Sequence, residues 1–379
     1  MMRMGSFNSA PKINNADTQD DFVDIPAGLS SSDLVHHCMR MRGDNLPPLL
    51  TRSFLKPIGN DITDGVRVLQ LNSVSKTLGQ NNDGFVRCPD EALTWECRKY
   101  LIIQEIIQND PDIVCLQEVD HFKFLQSVLG TQQYEGIFYP KPDSPCLYIS
   151  ENNGPDGCAI FFKKNKFELV NYDTRILEVW RVQSNQVAIA ANLKVLETGK
   201  EFSVCTTHLK ARNGALLSKL RNEQGKDLLR FAQHVAETRP IIMCGDFNAE
   251  PCEPVYKTIL QHKPLALTSA YADLLAAHGI RLPKPVQSES HDEGEEPVDN
   301  HEPPFTTWKI REDGGEVCHT IDYVFYSKDK LKVNNCLMFP QDQEIGLDRT
   351  PSFRYPSDHF SLVCDFEFTE SYETNETSH

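Results

Sequence analysis

The sequence predicts one large α/β domain whose sheets pack face to face. Three observations carry this. Short apolar runs of strand length recur from Val66 to Phe368. Two longer segments carry helical periodicity instead. Setting aside polar ends and one polar insertion leaves roughly 285 residues, which suits a single large domain of packed layers.

The elements follow in chain order. Residues 1–60 show no sustained periodicity and are rich in Pro, Ser, Asn and Asp, and Pro47-Pro48 would break any helix. This segment is expected to be mostly disordered, with a short helix near Leu34–Met41. The folded domain is expected over 61–368. Its buried strands are read at Val66–Leu71, Asp112–Leu116, Cys158–Phe162, Gln186–Val195, Phe202–Thr206, Ile241–Cys244, Ile321–Tyr326 and Phe360–Phe368. In 91–109, Leu93, Cys97, Tyr100, Ile103 and Ile107 share one helical face. In 215–236, Leu217, Leu220, Leu228, Phe231 and Val235 do the same. The stretch 282–304, rich in Pro, Glu, Asp and Ser, reads as a solvated insertion, because strand-like sequence resumes directly after it. The tail 369–379 is polar and expected to fray.

Composition narrows the function classes. The 379 residues carry 38 Lys and Arg against 54 Asp and Glu, a net charge of −16. A long polyanion would be repelled unless a local basic patch overrides that field. No apolar run approaches the ~18 residues of a membrane helix. The 12 cysteines form no C-x-x-C pair, and several sit inside apolar runs. Structural zinc is therefore not expected, and a reducing, intracellular compartment is. Cytoplasm is the first expectation, with mitochondrial or nuclear pools beside it. The N-terminus lacks the apolar core of a secretory signal. Met4-Gly5-Ser6-Phe7-Asn8-Ser9 fits a myristoylation pattern if translation starts at Met4, which would place a lipid anchor on Gly5.

The chemistry lies where the apolar runs end. The first run ends at Asn72 and the second at Gln117-Glu118. Val204-Cys205 leads into Thr206-Thr207-His208-Leu209-Lys210-Ala211-Arg212. Ile241–Cys244 leads into Gly245-Asp246-Phe247-Asn248-Ala249-Glu250-Pro251. Thr320-Ile321-Asp322-Tyr323 opens one strand, and Ser357-Asp358-His359 opens the last. If these strands lie side by side, carboxylates, amides and two imidazoles converge on one rim, suited to a hard cation and a phosphate. Singly, each residue is as well explained as a turn or strand-end group.

In that order the motifs resemble the endonuclease/exonuclease/phosphatase superfamily over Val66 to Phe368. Asn152–Ala159, Thr206–Arg212, Pro304–Arg311 and Arg349–His359 narrow the resemblance to an animal member of its deadenylase-like branch without leucine-rich repeats. The resemblance implies a four-layer α/β/β/α sandwich, two packed mixed sheets flanked by helices. It implies a Mg²⁺-dependent phosphatase that removes the 2′-phosphate of NADP⁺ and NADPH. Glu118 would hold the Mg²⁺, with Asn72 orienting it. Asp246 would deprotonate the attacking water. Asn248, His208 and His359 would hydrogen-bond the phosphoryl oxygens. Asp322 would fix the His359 tautomer, and Asp358 would sit behind the metal. Leu71 and Ser73, flanking Asn72, depart from the aromatic and aliphatic residues usual in that branch. They alter the packing around Asn72 but not the ligand set.

The resemblance also implies a dinucleotide pocket formed by Lys141, Asn185, His208, Leu209, Lys210 and Ala211. Arg212, Phe247, Lys309 and Arg311 stand beside it, together with Glu118, Asp246, Asn248 and His359. Phe305, Trp308 and Tyr355 are either stacking platforms or core aromatics. The alternative on the same metal site is a 3′ exoribonuclease acting on poly(A), and RNA would then be a partner, at least a weak one. A non-catalytic scaffold for ribonucleoprotein or metabolic partners is the third reading. No G-x-G-x-x-G or G-x-x-x-x-G-K-[ST] occurs, so NADP(H) would bind as substrate and not as a hydride carrier on a glycine turn.

Overall fold

Alternation along single strands shows how the layers form. Val66 and Val68, with Ile113 and Cys115, enter the core between two sheets, where they meet Val187, Ile189, Val204 and Ile242. Their neighbours Leu69, Leu71, Val114 and Leu116 face the other way, onto Trp95, Tyr100, Ile103 and Phe124. In the second sheet Ala188, Cys205 and Met243 turn outward onto Leu228, Phe231 and Val235. A period of two thus gives each central strand two buried faces, and the helices supply the outer layers. Each large side chain so buried contributes about 1.5–3 kcal/mol relative to exposure.

The computed structural model describes residues 25–43, 45–57, 65–81, 83–282, 301–312 and 315–369. In chain order the strands are β1 (Gly65–Asn72), β2 (Ile113–Val119), β3 (Tyr134–Pro140), β4 (Gly157–Lys163), β5 (Phe167–Val179), β6 (Val182–Val195) and β7 (Glu201–His208). They continue with β8 (Ile241–Asp246), β9 (Leu267–Ser269), β10 (Thr307–Arg311), β11 (Gly315–His319), β12 (Asp322–Ser327), β13 (Leu331–Cys336) and β14 (Leu362–Phe368). One mixed sheet has the order β13-β14-β1-β2-β4-β3, the other β5-β6-β7-β8-β12-β9, and β10-β11 form a ribbon. The helix Ala215–Ala236 covers the second sheet. The helices Ser31–Arg42, Trp95–Asn109 and Phe122–Thr131 cover the first. This is the expected sandwich.

Three sequence expectations change. The single helix read over 91–109 is broken at Thr94, whose extended backbone and hydroxyl cap the helix Trp95–Asn109 through the Cys97 N–H at 3.3 Å. The short helix expected near Leu34–Met41 is present as Ser31–Arg42, three residues longer at its start, and it packs Leu34 and Cys38 under the first sheet instead of lying in a loose segment. Leu49 and Leu50 are buried too, beside Trp308 and Tyr355. Gly5, the insertion residues 283–300 and the tail from 370 lie outside the described residues.

Candidate active site

Two parallel strand pairs place the polar clusters on one edge. β1 and β2 run parallel with Asn72 opposite Gln117. β7 and β8 run parallel with His208 opposite Asp246. β12 pairs antiparallel with β8, so Asp322 starts opposite Asp246. The carboxyl ends of parallel strands are where open α/β sheets place ligands. Gly245 is required here, since a Cβ would lie 2.2 Å from the Thr207 carbonyl oxygen. Glu118 (φ 55°) and Asn248 (φ 49°) both sit in the left-handed region, where non-glycine residues are uncommon and often functional.

Asp246 is the hub. Its Oδ2 accepts from Asn72 Nδ2 at 3.0 Å and lies 3.5 Å from His208 Nε2 and 3.8 Å from His359 Nε2. Its Oδ1 accepts the Asn248 N–H at 2.8 Å. Burial, and then the Asp322 charge, push its carboxyl up to about 6. His359 Nδ1 lies 2.8 Å from Asp322 Oδ2. Burial opposes the charged ring, but Asp322, Asp358 and Asp246 outweigh it and hold it up at about 9. His208 goes the other way. Burial and the nearby cations Lys141, His359, Lys210 and Lys309 push it well below the ordinary range. Its buried Nδ1 meets no partner among the described residues.

Glu118 accepts from Asn72 Nδ2 at 3.2 Å and from the Ser75 N–H at 3.3 Å. Burial and the neighbouring Asp83 raise its carboxyl to about 7, with Lys141 acting against them and Asp156 and Asp358 adding to them. Oxygen donors short of positive charge suit a hard divalent cation, so the residues fit a metal at Glu118 beside Asn72. Asp246, Asp322 and His359 also converge within 4.8 Å. That trio is a poorer cage, because the ring that would be a ligand is committed to Asp322 and held protonated.

The Endonuclease/Exonuclease/phosphatase family profile matches residues 80–359. The chain belongs to the endonuclease/exonuclease/phosphatase family. Nocturnin of Drosophila melanogaster is 60% identical over 406 residues, covering 100% of this chain and 62% of that protein. The human nocturnin catalytic domain with bound sulfate anion aligns with a TM-score of 0.66 at 41% identity, covering 85% of this chain and 100% of that one. The CCR4-Not complex 3′-5′-exoribonuclease subunit of Aspergillus niger is 26% identical over 362 residues, covering 81% of this chain and 52% of that protein. The chain spans less than two thirds of the length of either curated relative. The family resemblance read from the motifs is borne out.

Membership in the family does not by itself place side chains. Glu118, Asn72, His208, Asp246, Asn248, Asp322 and His359 come together as anticipated. Leu209 and Phe247 do not offer side chains to a ligand. Both are buried in the core under the helix Ala215–Ala236, and Phe247 packs edge-on against Tyr323 and Phe325. Leu209 still contributes its carbonyl, which accepts from Asn248 Nδ2 at 3.1 Å. Phe305, Trp308 and Tyr355 belong to one buried aromatic cluster with Phe360, so they are core and not stacking platforms. Asn185 spans to the Asp143 backbone, accepting its N–H at 2.8 Å.

The basic residues divide into two groups. Lys309 is ion-paired with Asp358, and Arg311 lies 3.4 Å from Asp358 and 3.7 Å from Asp83. Burial disfavours the Asp358 anion, yet Lys309, His359 and Arg311 hold it well below the usual carboxylate range. Asp358 thus anchors cations. Lys141 pairs with Asp156 at 2.6 Å. Lys210 and Arg212 are exposed, with Ala211 between them, and among the described residues neither meets a carboxylate. Burial first, and then the Arg212 and Lys141 charges, lower the Lys210 ammonium.

Gln70 and Thr306 were not read from the sequence, nor were the supporting roles of Gln117, Thr206 and Ser357. Gln70 donates to Gln117 at 2.7 Å and to Asp322 at 3.1 Å, and Gln117 donates to Thr206 at 3.0 Å, so an amide chain links the two sheets under the site. Thr306 donates to Asp322 at 2.7 Å. Ser357 donates to the Asn72 carbonyl at 2.6 Å and accepts the His359 N–H at 3.0 Å. A glutamine inside a strand of buried residues was the available signal, since a buried amide requires partners. Ser73 and Leu71 settle differently from each other: Ser73 Oγ donates to the Gln117 carbonyl at 2.9 Å, while Leu71 joins the apolar layer.

Proposed function

We propose that this chain is a magnesium-dependent phosphatase that removes the 2′-phosphate of NADP⁺ and NADPH, giving NAD⁺ and NADH. One observation carries the choice of substrate. Beside the site, Lys210 and Arg212 stand exposed on one short loop after His208 with no carboxylate partner among the described residues, and Lys141 is near enough to act on Lys210. A dinucleotide needs such a compact patch, whereas a processive nuclease needs an extended basic track. The net charge of −16 opposes such a track. The sulfate on the human nocturnin domain is a tetrahedral dianion, like a phosphate monoester.

Glu118, supported by Asn72, would hold Mg²⁺, which when bound neutralises charge on a phosphoryl oxygen. The remaining work falls to side chains. Asp246 is ionised at neutral pH yet basic enough, at about 6, to take a proton from water. The Asn248 N–H fixes its second oxygen, so Oδ2 is the accepting atom. His359, charged and backed by Asp322, presents Nε2 as a donor to phosphoryl oxygen as negative charge builds. His208 stays neutral and presents a second ring 3.5 Å from Asp246 Oδ2. The Asn248 amide is a further donor. Arg212 and Lys210 would grip the rest of the dinucleotide. We place the protein inside the cell, chiefly in the cytoplasm.

A second reading has support in the fungal exoribonuclease subunit, which covers 81% of this chain. It gives the same rim a poly(A) 3′ end. The test is product analysis with Mg²⁺. NADPH should yield inorganic phosphate and NADH, poly(A) little AMP, and Glu118→Ala neither product. Arg212→Ala should lower kcat/KM for NADPH about tenfold or more, as expected for a lost charge-assisted hydrogen bond. Efficient AMP release with NADPH left intact would replace the first reading with the second.

A further inference from the structure

Arg98 is fully buried in the first turn of the helix Trp95–Asn109. Its guanidinium makes four hydrogen bonds, all to backbone carbonyls. Nη1 donates to Ser73 at 2.8 Å and to Pro356 at 3.1 Å, Nη2 to Val74 at 2.9 Å, and Nε to Leu93 at 3.2 Å. Among the described residues no carboxylate lies within hydrogen-bond or ion-pair distance of it, although Asp120, Asp358 and Glu118 act on its charge from further away. A buried cation held only by carbonyls is costly unless its geometry is fully used, so its placement calls for a reason.

The carbonyls it joins are informative. Ser73 and Val74 directly follow Asn72, the residue that bridges Glu118 and Asp246. Val74 is β-branched yet has φ 55°, a conformation that persists only when its surroundings enforce it. The Val74 N–H in turn donates to Asn72 Oδ1 at 3.1 Å, which orients the amide. Pro356 directly precedes Ser357-Asp358-His359. Ser357 bonds both the Asn72 carbonyl and the His359 N–H. One guanidinium therefore fastens the end of β1, which carries the metal-side amide, to the loop that carries the charged imidazole.

We propose that Arg98 is a positioning residue that sets the spacing between the Asn72–Glu118 half of the site and the Asp358–His359 half. Without it the Val74 turn relaxes, the Asn72 amide rotates away from Glu118, and the His359 ring drifts from Asp246. The phosphatase reading enters only through the choice of substrate. Lysine at 98 places one ammonium among the same carbonyls and restores part of the link, whereas methionine fills the volume without donors.

The test uses the full chain with Arg98→Met, Arg98→Lys and Ser357→Ala. Mn²⁺ binding is followed by titration calorimetry, turnover on NADPH by phosphate release, and folding by thermal unfolding. For Arg98→Met, Mn²⁺ affinity should fall about tenfold and kcat about a hundredfold, with KM for NADPH changing less than about threefold, since misplacement of the order of 1 Å is that costly. Arg98→Lys should recover most of the Mn²⁺ affinity. Should Arg98→Met fail to fold, Ser357→Ala cuts the second tie between the same two halves, that from the loop to the Asn72 carbonyl, and should lower kcat in the same direction. A wild type inactive on NADPH would remove the substrate reading, while the Mn²⁺ titration would still decide the role of Arg98. A folded Arg98→Met, or failing that Ser357→Ala, with wild-type Mn²⁺ affinity and kcat would overturn the proposal, even if its melting temperature fell.

Discussion

His208 and His359 flank the same carboxylate oxygen from different strand ends, at 3.5 Å and 3.8 Å from Asp246 Oδ2, and both are buried. Their charges are opposite in tendency. The His359 ring has Asp322 and Asp358 around it and is held up at about 9. The His208 ring has Lys141, Lys210 and Lys309 around it and is pushed well down. Burial disfavours the charged form of both, so neighbours and not depth decide which ring carries the proton. Asp246 is thus placed between one imidazolium and one neutral imidazole. Such asymmetry lets it act as a base while a charged donor remains beside it.

The largest loss is expected at His359. His359→Gln keeps a neutral donor but removes the charge, and should lower kcat by about 10²–10³-fold, the scale of losing a preorganised donor. His208→Gln, already neutral for neutral, should cost much less in the same assay. Next comes Asp322→Asn, which withdraws the main carboxylate supporting His359 and leaves a ring more like His208. Its kcat should fall by about a hundredfold at alkaline pH and by less near pH 6, because the lost support moves the alkaline limb downward.

The wild-type pH profile sharpens the same point. Below about 6, Asp246 gains a proton and cannot accept one; above about 9, His359 loses the proton it needs. Turnover should therefore be bell-shaped between those limits, falling tenfold per pH unit outside them. The smallest change is Lys210→Met. It removes one cation acting on His208 and one unpaired grip on the substrate, so KM for NADPH should rise roughly tenfold with kcat nearly kept.

The central strands and the motif residues at their ends were legible in the sequence. β1, β2, β7 and β8 are apolar because both of their faces are covered, and a polar residue at their carboxyl ends stands out. The strands β3, β5, β9, β10, β11 and β13 escaped notice. β5 and β11 are largely exposed or half-exposed, and β13 carries a bulge between Val333 and Asn335 that interrupts its alternation. At the site, carboxylates and imidazoles were readable by type, but Gln70, Thr306 and Arg98 were not. Each is defined by a partner brought from far along the chain, as with Arg98 and Pro356. Phe247 was misread for the converse reason: its neighbours Asp246 and Asn248 face the site, while alternation turns its own ring into the core.

The direct test of the two-histidine account is a ¹⁵N NMR titration of both imidazoles in the metal-free protein, assigned with the His208→Gln and His359→Gln variants. The account predicts that His359 keeps both ring nitrogens protonated until about 9. His208 should stay neutral across roughly pH 5 to 8, the range in which an ordinary imidazole titrates. Two rings losing their protons together near the ordinary value of about 6.5, or His208 as the one that stays charged, would contradict it.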